Sequence, residues 1–326
     1  MTRPRVVRQA HHPEQRRRVA VIGAGQVGAT LAQRLLEGNL ADVVLVDIVP
    51  GLAQGKALDL AQAAPLRGYD THILGTEDYA PVADCRVTVI TAGKPRQPGM
   101  DRMDLLKANA TIVRSVVEQV TRYAPDTYLV VVTNPLDVMT YLALKVSGKR
   151  RSEVCGMAGT LDAARLAAFL ADRLSVSVKD IQAMVLGGHG DSMVPLPAHT
   201  TVAGVPVTEF LSEEELAPII ERTRRAGAEI VGLLQRGSAF YAPSAGAAAM
   251  VDSILGDQKR IIPCSVGLSG EYGLSDVCVG VPVRLGAGGV EEVVELELTD
   301  AERSALHRSA DEVRKGIAAL SGLKVL

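Results

Sequence analysis

The sequence predicts an α/β protein in which a parallel sheet, covered by helices on both faces, is followed by a mixed α+β part. Two observations carry this reading. Four short runs, Arg18–Ile22, 41–46, 86–92 and 128–133, are almost wholly apolar, as strands buried on both faces must be. Between them lie stretches of helical period. Residues 29–37 bring Leu31, Leu35 and Leu36 to one side and stop near Gly38, and residues 54–64 place Ala57, Leu58 and Ala61 at helical spacing. Strands alternating with helices give a parallel sheet.

Past Gly156 the texture changes. A helix is expected over 162–174, hairpin material over 200–207, and a polar segment from Ser212. A long helix over 216–235 and a small-residue helix over 244–255 follow. Strand-like runs at 261–266 and 277–284 precede 291–298, and Thr299-Asp300-Ala301-Glu302 is a capping box opening a last helix. There is no internal repeat and no low-complexity linker. The expected division is a nucleotide-binding domain over 18–155 and a substrate-binding, catalytic α+β domain over 156–326. Residues 1–17 form a disordered tail.

Bulk properties bound the function. A chain of 326 residues exceeds what one core usually serves, so two lobes are expected. A net charge of −2 gives no reason to expect nucleic acid or an anionic membrane as a partner. No apolar run reaches membrane-spanning length. Cys85, Cys155, Cys264 and Cys278 form no CxxC pair and suit reduced thiols in a cytoplasmic protein. The arginine-rich opening segment lacks the apolar stretch of a secretory signal. Its charge alone also allows a mitochondrial-type presequence, and a misassigned start is a further reading.

The first strand runs into Gly23-Ala24-Gly25-Gln26-Val27-Gly28, a GxGxxG turn that opens a helix. Its glycines supply a tight turn, a close approach of backbone to a pyrophosphate, and close helix–strand packing. The amides of the helix start, including those of Gln26 and Val27, then face the diphosphate. A lone GxGxxG is weak evidence in a glycine-rich chain. Here the second strand ends in Asp47, about 20 positions after Gly28, where a carboxylate accepts hydrogen bonds from the adenosine ribose and repels a 2′-phosphate. This Rossmann-type unit therefore points to NAD over NADP. A flavin uses the same turn, but more often with Glu at the acidic position.

His189 sits in Gly187-Gly188-His189-Gly190-Asp191, where flanking glycines let a ring face a cleft. Histidine is suited to taking and returning a hydroxyl proton near neutrality. Its other readings are a plain loop residue or a metal ligand, and no second ligand stands at the spacing a metal needs. Asp162 and Arg165 share a helix face, either as a surface pair or as an acid that orients the histidine beside a carboxylate-gripping arginine. Arg96 and Arg102 lie in a Pro/Gly-punctuated loop after the third apolar strand. They are either solvated or carried by a lid that brings positive charge to a substrate. Asn134, in Thr133-Asn134-Pro135, stands at another strand end.

These motifs, taken in order, resemble the lactate/malate dehydrogenase superfamily, and within it the lactate-dehydrogenase-like malate dehydrogenases of bacteria. The resemblance runs from about Arg18 to the C-terminus. It rests on the glycine turn, Val46-Asp47-Ile48, Gln54-Gly-Lys-Ala-Leu-Asp-Leu60, Ala92-Gly-Lys-Pro-Arg96, Thr-Asn-Pro, Leu161-Asp-Ala-Ala-Arg165 and Gly-Gly-His-Gly-Asp. It implies reversible, NAD-dependent oxidation of (S)-malate to oxaloacetate. It further implies His189 as proton donor and acceptor, Asp162 as its partner, and Arg165 on the substrate C1 carboxylate. Arg102 would polarise the carbonyl, and Asn134 would contact substrate and cofactor. Arg96 would stand at the specificity position opposite C4, where lactate enzymes carry glutamine. Asn109, Thr133 and Asn134 join Gly23, Gly25, Gln26, Val27, Gly28 and Asp47 as implied cofactor contacts, and Ser244 falls in the region beside nicotinamide. The implied partners are a small dicarboxylate and a second copy of the chain, as homodimer or homotetramer. A catalytically silent NAD sensor would share the first lobe but not the full set of His189, Asp162, Arg165, Arg96 and Arg102.

Overall fold

The computed structural model describes residues 17–94 and 102–322, with the main chain alone for Arg102. The predicted tail and the loop carrying Arg96 lie outside the described residues. The first part alternates as expected: β1 (Arg18–Ile22), α1 (Gln26–Glu37), β2 (Asp42–Val46), α2 (Leu52–Arg67), β3 (Ile73–Thr76) and β4 (Val87–Ile90). It continues with α3 (Arg102–Tyr123), β5 (Tyr128–Val131), α4 (Leu136–Ser147) and β6 (Val154–Gly156). These six strands are parallel, in the order β3-β2-β1-β4-β5-β6. The order reverses between β1 and β4, and ligands of such sheets bind in the crevice beyond the strand ends at that point.

Two helices were not expected from the sequence. In α4 every residue from Leu136 to Ala143 is buried, so no polar face marks its period. In α3 the signal was present: Leu106, Ala110, Val113, Val117 and Val120 are buried at alternating spacings of four and three. The short strands β3 and β6 gave no run long enough to stand out.

The second part is α5 (Gly159–Leu174), β7 (Ile181–Gln182), β8 (Val185–Leu186), β9 (Val194–Pro195), β10 (Thr201–Val202) and β11 (Val205–Pro206). It ends with α6 (Glu213–Leu234), α7 (Tyr241–Leu255), β12 (Arg260–Ser269), β13 (Ser275–Gly286), β14 (Gly289–Val293) and α8 (Asp300–Gly322). β10 and β11 pair as the expected hairpin. α6 starts before the predicted position because its acidic run is its first turn. The Ser212 hydroxyl accepts from the Glu215 N–H, the Glu215 carboxylate accepts from the Ser212 N–H at 3.0 Å, and acids at a helix start are favoured by the helix dipole. At α8 the Thr299 and Glu302 box forms as read.

β12, β13 and β14 add antiparallel strands to the edge at β6, so one nine-stranded sheet runs through both parts of the chain. Its buried residues form one core, and a smaller cluster around Leu166, Leu170, Ile181 and Leu216 packs α5 against α6. This continuity fixes the second part's loops relative to the carboxyl ends of the parallel strands. No helix among the described residues is long and apolar enough to cross a membrane.

Candidate active site

The glycine turn is held by its neighbouring strands. The Gly23 N–H donates to the Val46 carbonyl at 2.7 Å, and the Thr91 hydroxyl donates to the Gly23 carbonyl at 3.0 Å. Gly23 has φ +106°, a left-handed value that favours glycine. A Cβ on Gly28 would collide with the Gly23 carbonyl oxygen and lie 2.8 Å from the Thr91 hydroxyl, so this residue must be bare for helix and turn to touch. Gly25 differs. A Cβ there would meet nothing within 4 Å, and it is exposed at the start of α1, where no side chain caps the helix. Open space in front of unfilled helix-start amides is what a diphosphate requires, and the residues present fit NAD. Gln26 is exposed and Val27 half-buried beside it.

Asp47 closes this corner. One carboxylate oxygen accepts from the Ala24 N–H at 2.6 Å and the other from the Val49 N–H at 2.9 Å, so the acid braces the turn. Two neighbours escaped the sequence reading. Lys56 donates to the Ala24 carbonyl at 2.6 Å, and Ile48, 82% exposed, leaves an apolar side chain next to Asp47 in the chain. The signal for Ile48 was an apolar residue just past a strand-end acid.

Across the crevice, Asn109 on α3 is buried. Its side chain accepts from the Lys94 N–H at 2.7 Å and donates to the Asn134 carbonyl at 2.7 Å. It thereby ties the loop after β4 to the loop after β5. The Thr133 hydroxyl donates to the Ala92 carbonyl at 2.8 Å, while Asn134 is exposed and joined to Pro135 by a cis peptide. Ser244, on α7, is fully buried, its hydroxyl accepting from Arg34 of α1 at 3.1 Å and donating to the Tyr241 carbonyl.

The structure brings His189, Asp162 and Arg165 together. His189 Nδ1 is 2.9 Å from Asp162 Oδ2, and Arg165 Nη1 is 3.4 Å from Asp162 Oδ1. The Asp162 side chain is 2% exposed, which excludes the surface-pair reading of Asp162 and Arg165. With Asp162 ionised, Nδ1–H donates to it and Nε2 becomes the ring nitrogen left for a substrate. Burial opposes a charge on the imidazole, but the carboxylates of Asp162 and Asp137 outweigh it, and the pKa of His189 is raised above the ordinary histidine value. Arg165 Nε is buried without a hydrogen-bond partner among the described residues, and Gly227 on α6 leaves space by the guanidinium. A buried cation with an unspent donor is a site for an anion.

The segment around His189 is fixed by its surroundings. Gly187 exchanges two main-chain hydrogen bonds with Gly280 on β13, the Gly188 N–H donates to Ser309 on α8 at 2.8 Å, and the His189 N–H donates to Asp137 Oδ2 at 2.8 Å. Sequence reasoning missed Asp137, whose signal was a lone acid in an otherwise apolar helix. Of the remaining predicted residues, Arg102 begins α3 and Arg96 lies outside the described residues.

A nucleotide-binding sheet whose strand ends face a buried His–Asp–Arg cluster is the arrangement of an NAD-dependent dehydrogenase. Comparison with known proteins gives the family. The lactate/malate dehydrogenase NAD-binding domain model matches residues 17–156, and the α/β C-terminal domain model of the same family matches residues 159–322. The malate dehydrogenase of Thermomicrobium roseum is 56% identical over 308 residues, covering 94% of this chain and 99% of that protein. Among solved structures, the malate dehydrogenase of Salinibacter ruber is 49% identical with a TM-score of 0.90, covering 94% of this chain and 98% of the other. The lactate dehydrogenase of Cryptosporidium parvum with lactic acid and NAD is 42% identical with a TM-score of 0.91 and the same coverage. The chain belongs to the lactate/malate dehydrogenase family.

Proposed function

We propose that this chain catalyses the reversible NAD-dependent oxidation of (S)-malate to oxaloacetate. The observation that carries the proposal is the buried His189–Asp162–Arg165 cluster with its unspent guanidinium donor. Relatives named malate dehydrogenase at 51–56% identity support the choice of substrate.

Arg165 grips the C1 carboxylate, which both lactate and malate possess, and Arg96 pairs with C4, which malate alone possesses. His189 Nε2 takes the proton of the C2 hydroxyl while Asp162 stabilises the imidazolium that forms. NAD supplies the acceptor for the hydride that leaves C2. In the reverse direction protonated His189 returns the proton to the carbonyl oxygen, and Arg102 supports the negative charge that develops there. Asn134, exposed at the strand end, orients substrate against cofactor, and Asn109 and Thr133 hold the two loops that flank the nicotinamide position. Gly23, Gly25, Gln26, Val27 and Gly28 with Asp47 seat the diphosphate and ribose.

The division into 18–155 and 156–326 follows the same reading, with the first part holding NAD and the second supplying the acid–base pair. A cytoplasmic location is supported by four buried free thiols, and the homodimer or homotetramer by the family resemblance.

The test is the initial rate of NADH oxidation with oxaloacetate and with pyruvate. A faster reaction with pyruvate at equal concentration refutes the assignment. Arg96→Gln should erode the preference for oxaloacetate by about two orders of magnitude or more, since losing one partner of a desolvated charge pair costs about 2–5 kcal/mol. An unchanged ratio removes Arg96 from the argument.

A further inference from the structure

The acid–base pair accounts for Asp162 but leaves a second buried carboxylate unexplained. Asp137 is 5% exposed, on the first turn of α4, three residues after the exposed Asn134. Both of its oxygens are committed. Oδ1 accepts from the Ser265 hydroxyl on β12 at 2.7 Å, and Oδ2 accepts from the main-chain N–H of His189 at 2.8 Å. One carboxylate therefore links the helix behind the substrate-facing loop, the antiparallel half of the sheet, and the catalytic histidine. A scaffold needing only to satisfy one amide and one hydroxyl has neutral groups for the purpose, and burying an acid there carries a desolvation cost.

We propose that Asp137 is a positioning residue for proton transfer: it pins the His189 main chain to α4 and places a second negative charge near the imidazole. The inference rests on the proton-relay reading above and deepens it. It follows from the charges that surround the ring. From α5 come Asp162, whose carboxylate bonds the ring and favours its charge, and Arg165, whose guanidinium opposes it. From α4 comes Asp137. Ser265 on β12, the thiol of Cys278 on β13 and Ser309 on α8 are uncharged. Burial raises the Asp137 carboxyl above the usual carboxylate range, and the Ser265 hydroxyl, the His189 N–H and the imidazolium favour its ionised form against that; ionised, it leaves the described cluster neutral when His189 carries its proton and with one net negative charge when it does not. The same carboxylate fixes where that proton is held. Asn134 and His189 are carried by different elements, and the Asp137 bond is a direct link between the helix following one and the main chain of the other.

The geometry also defines the test. Asn at position 137 keeps an oxygen for the His189 N–H and removes the charge, while Ala removes both. Asp137→Asn should move the alkaline limb of the kcat/KM profile for oxaloacetate reduction about one pH unit lower, as expected for loss of a nearby opposite charge. Asp137→Ala should lower kcat about tenfold to a hundredfold through misplacement of the ring. The affinity for NADH, titrated by its fluorescence, should stay within about twofold in both variants, because the bonds of Asp137 go to His189 and Ser265 and none to the glycine turn. A pH profile of Asp137→Asn that overlays the wild type overturns the proposal. So does a parallel loss of NADH affinity and melting temperature with the limb unmoved, which is the mark of a purely structural acid. If Asp137→Ala does not fold, the Asp137→Asn profile decides alone. Wild-type turnover with oxaloacetate tests the functional reading separately, and the variant-to-wild-type comparison is made on whichever 2-oxo acid the wild type reduces.

Discussion

Gly25 and Gly28 belong to one motif, yet the structure assigns them opposite jobs, and a pair of alanine substitutions separates them. In Gly28→Ala the new methyl meets the Gly23 carbonyl, with Gly23 C at 3.0 Å and the Thr91 hydroxyl at 2.8 Å. Backbone cannot rotate away as a side chain can, so α1 must shift off the turn. Overpacking of this kind costs about 1–3 kcal/mol. At roughly 2–4 °C of melting temperature per kcal/mol, a fall of about 2–12 °C is expected. In Gly25→Ala the methyl meets no protein atom within 4 Å, and the backbone there, φ −66° and ψ −166°, is open to alanine. Losing glycine as N-cap costs a few tenths to about 1 kcal/mol, and the stiffer unfolded chain returns about 0.4–1 kcal/mol. The melting temperature should therefore stay within about 2 °C of wild type. The space the methyl fills is the space the diphosphate needs. Pushing back one or two charge-assisted hydrogen bonds, at about 1.5–3 kcal/mol each, raises the NADH dissociation constant roughly tenfold to a hundredfold or more. Thermal melts and NADH fluorescence titrations on both variants are the assay. A Gly25→Ala protein that binds NADH like the wild type refutes the close-approach argument, and a Gly28→Ala protein with an unchanged melt refutes the packing argument.

Three further outcomes follow from the site. Asp162→Asn should cut kcat by about two to four orders of magnitude, as loss of the histidine's oriented, charged partner does in other acid–base sites. It should also remove the main cause raising His189. In the wild type, oxaloacetate reduction needs the imidazolium and falls as pH rises through the raised pKa, while malate oxidation rises there. In the variant both limbs should move to lower pH, and limbs that stay in place would contradict the pairing. The stability from the charged histidine is full below the ordinary histidine value and lost as pH rises through the raised one, so the melt of Asp162→Asn should lose that pH dependence. Ser309→Ala leaves the buried Gly188 N–H without its acceptor, at a cost of about 1–3 kcal/mol, and should lower both the melting temperature and kcat; an unchanged melt would show that the bond is dispensable. Finally, Cys85 and Cys264 are pushed by burial to about 11 and about 12, and Cys155 and Cys278 are raised as well, so none of the four thiols should react with a thiol reagent at pH 8 until denaturant is added. Rapid reaction of the native protein would place at least one of them at the surface.

The parallel strands and the glycine turn were legible because each writes a local pattern: an apolar run, a GxGxxG, an acid at the next strand end. The His189–Asp162 pair was legible only through motif order, since 27 positions of chain separate them and spacing cannot report a 2.9 Å contact. α4 was invisible because a helix buried on nearly all sides has no polar stripe to give its period. Asp137 was hidden for the same reason. It sits within that apolar stretch, and its importance lies in partners 52 and 128 positions away. The partners of Ser244 were hidden likewise, since its hydroxyl meets Arg34, 210 positions away.

The cluster that carries the chemistry is also the part that cannot choose the substrate. On the proposed mechanism Arg165 and His189 address a carboxylate and a hydroxyl that lactate and malate share, so the same pair serves either substrate. The relatives bear this out. The malate and lactate dehydrogenases of Cryptosporidium parvum are each 42% identical to this chain, with TM-scores of 0.92 and 0.91. On the same proposal discrimination comes from a group that meets only C4, the role assigned to Arg96. Paired with a second carboxylate it contributes binding energy, and opposite a methyl group it is a desolvated charge with no partner, which penalises pyruvate by several kcal/mol. Because the relay pairs His189 with Asp162, substitution at Arg96 should redirect specificity while leaving the pH dependence of proton transfer where Asp162 and Asp137 set it.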